Sequence, residues 1–154
     1  MTTATDYETD FYQWTQQQAA LLRQGLFTEL DTAHLIDEIE DMGGSKEREL
    51  ETRLGVLLAH LLKWQYQPDR RGRSWQLTVK EQRRRVERLL KKNPSLKPRF
   101  IAIVADAYGD ARIIAAREID CDDAIFPDDC PFTIEQITSD YWPESAPIHG
   151  LCGQ

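Results

Sequence analysis

The chain has 154 residues, of which 41% are hydrophobic and 29% charged, with only 8 Gly and 7 Pro. This composition excludes disordered and collagen-like classes and suits one soluble domain that buries a core without help from metal or disulfides. The net charge of −7 hides an alternation: residues 1–43 hold nine acids and one base, residues 44–100 six acids and sixteen bases, and residues 101–154 eleven acids and two bases.

The first helix is expected from about Thr9 to Gln24, because Phe11, Trp14, Gln18, Leu21 and Leu22 recur at helical spacing and Gly25 follows as a stop. A second helix starts at Asp31, an acceptable N-cap. It carries Leu35, Ile39 and Met42 on one stripe, and Gly43-Gly44 is expected to break or kink it. Ser45 then caps a third helix to about Tyr66, the most apolar of the set, with Leu50, Leu54, Leu57, Leu58 and Leu61 on one side and Pro68 just beyond its end.

After the connection QPDRRGR, Ser74 is expected to cap a fourth helix whose Trp75, Val79, Val86, Leu89 and Leu90 share a side and which ends at Asn93-Pro94. Ser95 opens a fifth helix to about Ile119, with a wide stripe that includes Phe100, Ile103, Ala107, Ala111 and Ala115; its alanines permit close helix approach. The remainder, rich in Pro and Asp, has one short helical candidate from Thr133 to Ser139. The expected architecture is a single all-α domain over residues 1–154. Its bundle of four to five main helices spans about 9–119, and an irregular C-terminal tail spans about 120–154.

No apolar run approaches the roughly 20 residues that a membrane span needs, and the start MTTATDYETD lacks the basic and apolar regions of a secretory signal, so a cytoplasmic location is expected. Cys121, Cys130 and Cys152 have neither CxxC spacing nor neighbouring histidines; reduced thiols without a zinc site are expected, and Cys130 has no visible catalytic partner.

The one strongly basic stretch, His60 to Lys92, offers two candidate surfaces. One is a corner of Lys63, Trp64, Arg70, Arg71, Arg73, Ser74 and Trp75. There guanidinium groups and a helix N-terminus would hold an anion or an acidic partner between aromatic walls. The other is a ridge of Lys80, Arg84, Arg88 and Lys91 along the fourth helix, opposite its apolar side, with Glu81 to Arg85 and Glu87 to Lys91 as internal pairs. The corner is the preferred of the two.

The ridge would also attract nucleic acid, in a sequence-independent and salt-sensitive way. The acidic blocks on either side disfavour that reading and leave a protein as the expected partner, with homo-oligomerisation open. A minority reading is a metal or acid/base site of His34, Glu38 and His60 at a seam between the second and third helices. It lacks a fourth ligand and any HExxH pattern, so no metal, no cofactor and no catalytic residue is assigned, and an interaction module is favoured over an enzyme.

The segments DFYxWTxxQAALLRxG (Asp10 to Gly25), LDxxHLxxEIEDMG (Leu30 to Gly43), LLAHLLKWQYQP (Leu57 to Pro68), SWxxT (Ser74 to Thr78) and NPSLKP (Asn93 to Pro98) resemble a bacterial family known as domain of unknown function twenty-nine. The resemblance spans nearly the whole chain and implies an all-helical bacterial protein. It assigns no activity, and implies only that Trp14, Glu38, His60, Lys63, Trp64, Ser74 and Trp75 stand at motif positions.

Overall fold

The computed structural model describes residues 4–146, and among these it holds six α-helices and no strand, the all-α class expected. Cys152 falls outside the described residues. The helices are α1 (Ala4–Thr9), α2 (Phe11–Gln24), α3 (Thr32–Tyr66), α4 (Arg73–Lys92), α5 (Phe100–Ile119) and α6 (Ile134–Thr138). Short 3-10 turns occupy Phe27–Glu29, Pro68–Arg70, Pro94–Arg99 and Asp123–Ile125.

The chain divides into two compact units, Met1–Ser45 and Lys46–Gln154. In the first, Asp10 caps α2 by accepting from the Gln13 amide at 3.1 Å. Gly25 ends α2 at φ 73°, a left-handed cap that only glycine adopts without strain. The Asp31 carboxylate accepts from the Trp14 indole at 2.9 Å and sits 2.7 Å from His34 Nδ1, while the Asp31 amide donates to Gln18 Oε1 at 2.8 Å. His34 stacks on Tyr7 at 3.9 Å between ring centroids, and Trp14 meets Tyr7 edge-on at 4.8 Å.

The second unit is built around an apolar core. Leu50, Leu54, Leu57, Leu58, Leu61 and Leu62 of α3 are fully buried, and they cluster with Val79 and Val86 of α4 and with the Ile103, Ala107, Ala111, Ala115 and Ile119 face of α5. Burying each leucine side chain contributes roughly 1.5–3 kcal/mol. Small residues set the approach of α3 to α5: a Cβ on Gly55 would stand 3.9 Å from the Ala107 carbonyl oxygen. Phe126, Phe132 and Ile137 of the tail join the same core, and Thr133 opens α6 with a reciprocal capping box to Gln136.

Three later boundaries differ from the sequence expectations, and a separate helix, α1, precedes the one expected from about Thr9. The second and third helices are one continuous helix of 35 residues, because two glycines, each costing about 1 kcal/mol relative to Ala, are outweighed by strong helix formers on both sides. Gly43 meets nothing within 4 Å, so no packing demand explains it. Ser74 lies inside α4 rather than capping it; Gly72 is the N-cap and gives no side-chain hydrogen bond. The segment after Asn93 runs as a 3-10 turn through Pro98 before α5 starts at Phe100, since a Pro at that position cannot donate to an α-helical bond.

Candidate functional site

The ridge is open. Val79 and Val86 of α4 are buried, while Leu77, Lys80, Arg84 and Arg88 on the opposite side are exposed, Leu77 at 56%. No hydrogen bond or ion pair reaches Lys80, Arg84 or Arg88 among the described residues. Arg85 is tied to Glu81 at 3.1 Å, the i,i+4 pair that the spacing predicts. Together with Glu81 and Arg85 these residues line a shallow groove of about 520 Å³. A second groove of about 370 Å³ continues past Arg85, Arg88 and Lys92 to the Lys46–Glu49 pair of α3. The result is a cationic strip with one exposed aliphatic side chain, able to make bidentate contacts to carboxylates and an apolar contact beside them.

The corner is different: most of its candidate residues are used internally. Lys63 is 4% exposed, forms an ion pair with Glu118 of α5 and lies 4.8 Å above the Trp75 ring. Arg71 donates to the Trp64 carbonyl at 2.7 Å and to Ser145 Oγ at 3.1 Å, with its guanidinium 4.9 Å from the Trp64 ring centre. Trp64 and Trp142 stand 4.4 Å apart, and the Ala146 amide donates to the Gln65 carbonyl at 2.9 Å. Arg70, Arg73 and Ser74 remain exposed. What covers the corner is the stretch around Trp142 to Ala146, acting through a ring, a hydroxyl and the backbone rather than through carboxylates.

Arg83 is the residue that sequence reasoning missed. It donates to the carbonyls of Gln136 and Ile137 at 3.0 Å each and of Tyr141 at 2.7 Å, and so fastens α6 and the following turn to α4. The available signal was its place on the helix, about 100° per residue from its neighbours, at the border between the basic ridge and the buried face.

The His34, Glu38 and His60 group is not assembled. The seam between two helices does not exist, since all three residues ride on the single helix α3, with His34 and Glu38 in the first unit and His60 in the second. Each has its own partner: His34 has Asp31, Glu38 accepts from the Tyr7 hydroxyl, and His60 Nδ1 lies 2.9 Å from the Val56 carbonyl. The Glu38 carboxylate pushes the Tyr7 phenol up to about 12. Burial, with Lys63 nearby, lowers the His60 pKa. No cluster of three or more acidic, His or Cys side chains fit to hold a metal occurs among the described residues.

Cys130 is a free thiol whose pKa is raised by burial, the opposite of an activated nucleophile. Cys121 is disulfide-bonded, at odds with the reduced thiols expected. No described helix is long and apolar enough to cross a membrane.

A sequence model described as "Domain of unknown function DUF29" matches residues 7–143. No curated protein and no solved structure matches the chain.

Proposed function

The chain belongs to the DUF29 family, whose description names no activity, and from its own residues we propose that it is a bacterial interaction module that binds an acidic protein surface through the exposed side of α4. The observation that carries this reading is the row of Lys80, Arg84 and Arg88, unpaired among the described residues, around exposed Leu77. Cations that face only water are the ones with charge to offer a partner, and the exposed leucine adds a contact that a polyphosphate would not use. Among the corner residues Lys63, Trp64, Arg71 and Trp75 brace the fold, while Arg70, Arg73 and Ser74 extend the basic strip at its N-terminal end.

Nucleic acid is the second reading, supported by the same cations. The ridge includes Glu81 and has no exposed aromatic ring among its lining residues, so it offers little for base stacking.

The reading places the protein in the bacterial cytoplasm. The free Cys130 thiol supports that placement and the Cys121 disulfide counts against it. Mass spectrometry of protein alkylated at lysis decides: a Cys121 thiol keeps the cytoplasm, and a preserved disulfide moves the protein to an oxidising compartment.

Binding is tested by fluorescence anisotropy with a labelled helical peptide bearing Glu and Leu on one face, at about 50 mM salt, where screening is weak. The expected result is saturable binding that weakens at least tenfold in Arg84→Glu with Arg88→Glu. Equal binding by both proteins, or none by either at concentrations where the wild type is monomeric, contradicts the reading. Duplex DNA that binds with a steep salt dependence while the peptide does not would favour nucleic acid instead.

A further inference from the structure

The first unit is poorly covered for its size. Among the described side chains of residues 7–45, only Trp14 and Gln18 are buried, while eight large apolar side chains are exposed, including Tyr12 at 74%, Met42 at 68%, Phe27 at 65% and Ile39 at 63%. At roughly 150–250 Å² per large side chain, such exposures amount to on the order of 800 Å² of apolar surface spread over the unit. A unit of this length is also near the size below which a fold leans on oligomerisation.

The same unit is strongly acidic, with nine acids and one base in residues 1–45. On the exposed side of α3, Asp37 and Glu40 stand among Ile36, Ile39 and Met42. The α4 face has the complementary pattern, with Lys80, Arg84 and Arg88 around Leu77. Among the described residues one chain therefore carries an acidic face with exposed Ile36, Ile39 and Met42 and a basic face around the single exposed Leu77, so each copy supplies one of each.

We propose that the acidic partner of α4 is the first unit of a second copy of this chain. The inference rests on the reading of α4 as a docking face and names its occupant. Two copies related by a two-fold axis would make the contact twice, the first unit of each lying on α4 of the other. Such an arrangement closes and leaves no open-ended surface for further growth. It covers Ile36, Ile39 and Met42 of the first unit and neutralises the ridge in one step, which a foreign acidic protein would do for the ridge alone.

Sedimentation velocity on the full chain at about 150 mM salt tests this, with helicity checked by circular dichroism for every variant. The wild type is expected to be a dimer at micromolar concentration. Arg84→Glu with Arg88→Glu is expected to be a folded monomer, and so is Asp37→Lys with Glu40→Lys. Mixing the two variants is the decisive arm, because a heterodimer restores both complementary contacts while each homodimer keeps two repulsive ones; a 1:1 dimer should reappear. A wild type that is monomeric at all concentrations, a dimer that persists in either folded variant, or a mixture that stays monomeric overturns the proposal. If the wild type is monomeric yet still binds the acidic peptide, the α4 reading survives and only the second copy is wrong.

Discussion

In the second unit, leucines from Leu50 to Leu62 interlock with α4, α5 and the tail in one apolar core, whereas in the first unit the buried side chains are Trp14 and Gln18 and the main links converge on the Asp31 carboxylate. A core of many methyl groups loses a fraction of its stability when one polar contact goes. A small hub of directional hydrogen bonds does not, because one group satisfies several partners at once. The difference teaches where each unit is vulnerable.

The largest expected effect lies in the second unit. Leu58→Ala should cost about 3–5 kcal/mol, by lost transfer energy plus a cavity, and lower the whole thermal transition. A cost under about 1 kcal/mol would show that the core is not what holds that unit.

Asp31→Ala should cost about 2–3 kcal/mol, from three hydrogen bonds to its carboxylate, and the loss should be confined to residues 7–45 in hydrogen exchange. Equal loss of protection around α5 would erase the distinction between the units. The same residue gives the pH dependence. Partial burial works to raise its pKa, but hydrogen bonds from His34 and Trp14 outweigh it and hold the carboxyl below its ordinary value. Its stabilising contribution is therefore present above the unfolded value near 3.9 and is lost as pH falls through the lower folded value. Acid titration followed by exchange should open residues 7–45 below about pH 4, and Asp31→Asn should flatten that response.

A smaller effect probes the buried ion pair. Glu118→Ala leaves the Lys63 ammonium without its counter-charge at 4% exposure and should cost about 2 kcal/mol, less than a fully buried pair because Glu118 itself is half exposed. Lys63→Met keeps the packing of the stem and should cost under about 1 kcal/mol. The reverse order in thermal melts would mean that the charge on Lys63 matters more than its packing. Smallest is Gly43→Ala, expected to stabilise α3 by about 1 kcal/mol, since nothing meets an added Cβ; destabilisation would mark Gly43 as a needed bend.

Much of the fold is legible in the sequence because apolar spacing and end signals agree. Gly25 stops α2, Asn93 ends α4, Thr133 caps α6, and the leucine stripe of α3 is the core. Gly43-Gly44 misleads, since a local penalty of a few kcal/mol does not break a helix that its neighbours favour. Ser74 misleads because Gly72 reaches the extended conformation of an N-cap two residues earlier. The ridge could be read from periodicity alone, but the occupancy of the corner could not. Whether Lys63 or Arg71 is free depends on Glu118, Ser145 and Trp142, residues distant in sequence that only the folded chain brings near.

Hydrogen exchange on the full chain at concentrations from well below to well above micromolar tests the account most directly. Residues 7–45 should lose protection on dilution while residues 50–119 keep theirs, because in the proposed dimer the first unit is covered by a second copy, whereas the second unit has its own core. Protection that is equal in the two segments and independent of concentration would contradict it.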